Sequence, residues 1–268
     1  MNPFVFSCII PHGGEIVPEL SGEDPSRMAK TRQNAKRLGL MMEEARPDAL
    51  IVLTPHGTRI NGQFSIADCE RMTGYEEENG SRFELERKVD RILAAELTTE
   101  AKKAGLPAAS INFGTSEGPL SNLPLDWGAV VPLRFMPNVP VVVVTPSRQV
   151  TMEDHVKFGE VIRKTAEASN RRIGLIASCD WSHTHAESGP YGYDPAAGPM
   201  DEAIVQAIRD NELESMMTFE AEKVEAAKPD GIWQTLILAG AIPKEERDVE
   251  FLSYEVPTYF GLICAAYR

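Results

Sequence analysis

Five histidines occur in 268 residues, and four of them fall just beyond apolar runs of strand length. His12 follows FVFSCII, His56 follows ALIVLT, and His183 and His185 follow IGLIAS. In open α/β sheets, ligands bind outside the carboxyl ends of the strands, so these imidazoles can converge although the chain separates them widely. His12 and His56 share a short frame, Pro11-His12-Gly13 and Pro55-His56-Gly57. Proline fixes the approach of the chain, and glycine allows a sharp turn and a close backbone contact, which suits a side chain held rigidly over a cavity. Neutral imidazole is the commonest transition-metal ligand. Two imidazoles and one carboxylate leave coordination positions open, as in non-haem Fe(II) oxygenases, and the same donors suit catalytic zinc.

Such a site requires a carboxylate. Most Asp and Glu residues lie in polar runs such as 212–225 and 244–250, which read as solvated faces. Glu255 differs: it sits in the β-rich, apolar run FLSYEVP, where an unpaired carboxylate is costly and calls for a cation. Asp180, beside the His183 loop, is its competitor. His155 falls early in a helical stretch and reads as structural.

The elements that must position these side chains are those of an α/β fold: a single domain over 1–268 with a central mixed, mostly parallel sheet flanked by helices. Residues 4–10, 49–54, 139–145 and 173–178 are apolar nearly throughout, as strands covered on both faces should be. Helices are expected from Ser26 to about Ala45, from a Ser81/Glu84 capping box to about Gly105, from Thr151 onward, and over 232–239 with Asp230 as its cap. The tail from Asp248 to Tyr267 reads as two strands or one bulged strand. Long irregular stretches at 11–25, 55–63, 113–128 and 179–199 are of the size that carries function.

Composition narrows the classes of partner. A net charge of −13 opposes non-specific phosphate binding, so no nucleic-acid partner is expected. Four dispersed cysteines without a Cys-x-x-Cys pair, no secretory leader and no run long enough to span a bilayer point to a cytoplasmic protein with no membrane partner.

The order and spacing of Pro11-His12-Gly13, Thr54-Pro55-His56, Ala177-Ser178-Cys179-Asp180-Trp181-Ser182-His183 and Glu255 followed by Pro257 and Gly261 resemble the class III extradiol ring-cleavage dioxygenases. That superfamily holds the protocatechuate dioxygenase β subunit, the DOPA dioxygenases and the Memo-like proteins, and the resemblance covers almost the whole chain. It implies that His12, His56 and Glu255 bind Fe(II), with Zn(II) able to occupy the same site, and that His183 is the acid–base residue. It also implies a homodimer or higher homo-oligomer, with a small aromatic diol and O₂ as substrates. Many relatives carry Asp-His-Gly where this chain reads Asp126-Trp127-Gly128. His185, two residues past His183, is the candidate to supplement the missing imidazole. Trp127, Asp180 and Tyr191 are candidate substrate contacts, with Trp181 and Tyr193 as further aromatic walls and Arg134 and Arg148 as partners for a substrate carboxylate.

The implied activity is opening of a catechol ring by O₂. The alternatives are a Memo-like regulatory protein without dioxygenase activity and a zinc hydrolase on the same site. Memo-like relatives have cysteine where the dioxygenases have glutamate, and the nearest cysteine here, Cys264, lies further along the chain than Glu255.

Overall fold

Alternate residues of each central strand pack into opposite layers, which is why the strand sequences read as unbroken apolar runs. In the computed structural model, which describes residues 2–268, the chain begins β1 (Phe4–Ile10), α1 (Ala29–Glu44), β2 (Ala49–Leu53), β3 (Phe64–Ala67), β4 (Arg71–Glu78) and β5 (Ser81–Lys88). It continues through α2 (Arg91–Lys103), β6 (Ala108–Ile111), β7 (Asn122–Pro124), α3 (Trp127–Leu133), β8 (Val141–Thr145), α4 (Met152–Ser169) and β9 (Ile173–Ser178). The last elements are α5 (Ala197–Arg209), α6 (Ala221–Ala227), α7 (Ile232–Ala241), β10 (Val249–Glu255) and β11 (Leu262–Tyr267).

Eight strands form the main sheet in the order β10-β11-β1-β9-β2-β8-β3-β6. The central four, β1, β9, β2 and β8, are mutually parallel. Antiparallel pairings of β3 with β8 and of β11 with both β1 and β10 make the sheet mixed. The carboxyl ends of the four parallel strands therefore open on one edge, and the loops that carry His12, His56, Arg148 and His183 all leave from it.

The period of two is visible in the cores. Ile9, Ile51, Leu53, Val142, Val144 and Leu175 pack with α2, α4, α5 and α7 on one face. Cys8, Ile10, Leu50, Val52, Val143 and Ile176 pack with α1 and α3 on the other. Each fully buried aliphatic side chain contributes about 1.5–3 kcal/mol, so both layers are firmly tied to the strands beneath the site. All four cysteines are buried and free.

Two local expectations are corrected and a third holds. Residues 81–88 form β5, not the start of a helix: they alternate in exposure and pair antiparallel with β4 across Asn79-Gly80, both in the left-handed region at φ 52 and 73. Asn-Gly at such a turn is a strong hairpin signal and outweighs the Ser81/Glu84 spacing. The helix that follows is instead capped by Asp90, whose side chain accepts from Leu93 N at 3.2 Å. Asp230 does not cap α7, because its carboxylate is turned toward the histidines. The Thr151 cap holds, accepting from Asp154 N at 3.1 Å. Among the described residues no helix is long and apolar enough to cross a membrane.

Candidate metal centre and catalytic pocket

His12 leaves β1 and His56 leaves the loop after β2. Their Nε2 atoms lie 3.1 Å apart. The third corner is Asp230, whose Oδ2 is 3.2 Å from His12 Nε2 and 3.3 Å from His56 Nε2. The three atoms thus form a nearly equilateral triangle. Ligands bonded to one ion at about 2.0–2.2 Å are roughly 2.8–3.6 Å apart when the angles between them lie between the octahedral and tetrahedral values, so the triangle fits a single metal with one face open.

The donor chemistry supports the same reading. His12 Nδ1 donates to Ser178 Oγ at 2.9 Å, while the Ser178 hydroxyl itself donates to the Gly128 carbonyl. Ser178 therefore accepts from the imidazole, which fixes the tautomer and leaves the Nε2 lone pair facing Asp230 and His56. Asp180 steadies the same residue from behind, its Oδ1 accepting from the His12 backbone N at 2.9 Å. Asp230 Oδ1 in turn accepts from Asp180 N at 2.9 Å, leaving Oδ2 for the histidines. Burial opposes charge on His12, but Asp180 and Asp230 outweigh it and push its pKa up to about 9. Burial likewise opposes ionisation of Asp230, yet His12 and the neighbouring imidazoles hold its carboxyl well below the usual range. A buried cluster that draws protons into its cavity has the electrostatics to draw in a metal cation.

Asp230 was not singled out from the sequence as a ligand, although it repeats the frame of the two histidines as Pro229-Asp230-Gly231. The glycines of these frames are required by close approach. A Cβ on Gly57 would lie 2.2 Å from Thr145 Oγ1, and one on Gly231 would lie 2.5 Å from Cys179 Cβ.

Glu255 is not brought to this point. Among the described residues, the group with metal-ligand spacing is His12, His56 and Asp230. The Glu255 carboxylate accepts instead from Thr31 N at 2.8 Å and from the Thr31 hydroxyl, at the start of α1. The reason is topological: β10 is the outermost strand, two strand spacings or about 10 Å from β1.

His183 does reach the pocket. Its Nδ1 donates to the Lys228 carbonyl at 2.8 Å, which Lys228 presents from the left-handed region at φ 56, and its Nε2 lies 4.0 Å from Asp230 Oδ2. Phe260 stacks on the His183 ring at 5.5 Å between centroids. His185 does not share that face. Its Nε2 lies 2.8 Å from Asp201 Oδ2, which also accepts from the Tyr254 hydroxyl at 2.9 Å, so His185 ties the loop to α5 and β10.

The aromatic candidates separate in the same way. Trp127 stacks on His56 and, with Tyr191, borders the cavity on one side of the histidines. Trp181 is fully buried in the core, and Tyr193 is exposed. Arg134 pairs with Glu19 on the surface, whereas Arg148 lines the cavity together with His56, His183 and Asp230. His155 is buried against Phe64 with its Nδ1 on the Thr151 carbonyl at 2.7 Å, a structural role.

A sheet edge that delivers two imidazoles to a carboxylate from the loop between α6 and α7 defines a candidate mononuclear metal site on an α/β scaffold. Residues 7–263 match the family described as the catalytic LigB subunit of aromatic ring-opening dioxygenase, and the chain belongs to that family. It is similar to Protein CA_C1420 of Clostridium acetobutylicum, at 25% identity over 252 residues covering 92% of this chain and 54% of that protein. The chain thus spans about half the length of the curated relative it matches. The uncharacterized protein JW3007 from Escherichia coli K12 has the same fold, with a TM-score of 0.65 at 15% identity over 97% of this chain and 98% of that one.

Proposed function

We propose that this chain is a non-haem Fe(II)-dependent extradiol dioxygenase that opens the ring of a catechol-type substrate with O₂, its metal held by His12, His56 and Asp230. The observation that carries the reading is the triangle of two Nε2 atoms and Asp230 Oδ2, with His183 Nε2 beside it. Bound there, Fe(II) would supply open positions for the diol oxygens and O₂ and pass electron density between them.

The protein's own groups handle protons and position. With Nδ1 committed to the Lys228 carbonyl, His183 offers its Nε2 lone pair to the cavity, where it takes a proton from a catechol hydroxyl and returns it as the ring opens. Asp180 and Ser178 hold His12 in register from two directions. Tyr191, Tyr259 and Phe260 line the approach and keep an apolar wall against the ring of a flat substrate.

Anaerobic reconstitution with Fe(II), followed by air and a catechol panel, tests the reading. A yellow ring-opened semialdehyde that requires Fe(II) is the expected result. Stoichiometric metal binding without ring opening on any catechol would refute it in favour of a regulatory or hydrolytic role.

A further inference from the structure

His183 sits within a short extended segment after β9, and one carboxylate grips that segment on both sides of it. Asp201 projects from α5 and is fully buried. Its Oδ1 accepts from the backbone N–H of Ser182 at 2.9 Å, one residue before His183. Its Oδ2 accepts from His185 Nε2 at 2.8 Å, two residues after it, and from the Tyr254 hydroxyl of β10 at 2.9 Å. No lysine or arginine among the described residues pairs with this carboxylate.

A second segment passes against the same group. Residues 259–261, between β10 and β11, are laced to the His183 stretch: His185 N donates to the Tyr259 carbonyl at 3.1 Å, Gly261 N to the Ser182 carbonyl at 3.1 Å, and Trp181 N to the Gly261 carbonyl at 2.9 Å. A Cβ on Gly261 would lie 2.1 Å from Asp201 Oδ2, so the chain can run there only without a side chain. Phe260, between these anchored residues, is the ring that stacks on His183, 13° from parallel. One carboxylate therefore fixes both the backbone around His183 and the segment that carries its stacking partner, while the Lys228 carbonyl holds Nδ1 from the other side.

Taking a carboxylate out of water is costly, and the hydrogen bonds it then accepts offset that cost without a large net gain. What Asp201 adds is geometry. It hangs from a helix whose Met200, Ile204 and Ile208 are set in the core, so its two contacts beside His183 start from a rigid base. A general acid–base must lie within hydrogen-bond reach of the proton it moves, and a displacement of about 1 Å can lower the rate on the order of 10²-fold.

We propose that Asp201, acting through Ser182 and His185, is the positioning residue that sets the reach of His183 over the metal triangle, and that His185 serves as a strut and not as a second acid–base group. The proposal rests on the ring-opening reading for the reaction and on the hydrogen bonds alone for the clamp.

The test uses variants of the whole chain. Asp201→Ala empties the clamp and keeps a good helix former in α5, Asp201→Asn keeps an acceptor for Ser182 N, and His185→Leu cuts one strut. Tyr254→Phe removes the donor that does not flank His183. On the Fe(II) form, Asp201→Ala should lower kcat by about 10–100-fold with KM and metal content within about 3-fold, and Tyr254→Phe should stay within about 3-fold of wild type. Asp201→Asn should recover part of the loss. His185→Leu should share it, and the Asp201→Ala, His185→Leu double variant should lose less than the product of the two single losses, because both act through one contact. Nitrogen NMR of the diamagnetic Zn(II) form, in mildly alkaline buffer where a free imidazole is neutral, gives a readout independent of turnover. Wild type should show His183 in a single tautomer with the proton on Nδ1, and Asp201→Ala and His185→Leu should show exchange between two tautomers. If Asp201→Ala does not fold, His185→Leu carries both measurements. A kcat loss in Tyr254→Phe as large as in the clamp variants, or a His183 ring that keeps its tautomer in them, would overturn the proposal. Tautomer exchange in the clamp variants of a protein that opens no catechol would sink the dioxygenase reading and leave the clamp standing.

Discussion

Trp127 stacks on His56 with 4.1 Å between ring centroids and only 22° between the planes. The indole that stands where many relatives carry histidine is therefore packed against a candidate ligand. Its 45% exposure leaves the other side of the ring open to the cavity. An indole can stack but has a single N–H donor and no acceptor, so Trp127 orients His56 and shapes the pocket without moving protons.

That relationship sets the first expectation. Trp127→Ala removes the support of His56 and should weaken Zn(II) binding by roughly 10-fold, as losses around a ligand do. Trp127→His keeps a stacking ring and should leave affinity within about 3-fold while changing relative rates across a catechol panel. Competition titration with a chelator and a rate panel measure the two effects, and uniform scaling of all substrates by Trp127→His would remove Trp127 from substrate choice.

Asp230 and Glu255 make opposite predictions. Asp230→Asn removes the anionic corner of the triangle and should abolish stoichiometric metal binding, with affinity down by roughly 100-fold or more. Glu255→Gln should leave metal content intact and destabilise the protein by about 1–2 kcal/mol, because it weakens the charge-assisted bonds to the Thr31 backbone and hydroxyl. Metal analysis of the two purified variants decides between them: metal lost from Glu255→Gln and kept by Asp230→Asn would restore the glutamate as ligand.

The contrast shows which parts of the molecule were legible in the sequence. The strands that hold the site were, since burial on both faces demands continuous apolar runs, and the rule that ligands gather at strand carboxyl ends placed His12, His56 and His183 on one edge. The carboxylate was not, because a tertiary relation chose it: Asp230 comes from the far side of α6, and its local sequence also suits a helix cap. The repeated Pro-X-Gly frame was the available signal. Glu255 looked buried for a metal's sake, whereas Thr31, far away in the chain, satisfies it. His185 likewise carried no sequence sign of Asp201, the partner that turns it away from the pocket.

His155 gives the fold its own pH dependence, independent of the metal site. Burial, opposed only partly by the Thr151 carbonyl and Asp154, lowers its pKa from 6.5 to about 4. The folded state therefore favours neutral imidazole more than the unfolded state does. Its contribution is fully present above pH 6.5 and is lost as pH falls from 6.5 toward 4. The loss amounts to about 3 kcal/mol at full protonation. His155→Gln removes that titration, so denaturant melts at pH 7 and pH 4.5 should show a smaller acid loss in the variant than in wild type. An unchanged difference would mean that other groups govern acid stability.

His183 is predicted to act on protons and not on the metal. Its Nε2 lies 4.0 Å from Asp230 Oδ2, near the cavity but outside the triangle of donors at 3.1–3.3 Å. His183→Ala should keep Zn(II) or Fe(II) binding within a few-fold while lowering turnover by about 10²–10⁴, the usual span for a lost general acid–base. His183→Gln should be nearly as slow, since the amide retains hydrogen bonding but cannot carry a proton between substrate atoms. Metal lost together with activity would make His183 a ligand instead, and a full-rate His183→Gln variant would show that its role is to position the substrate.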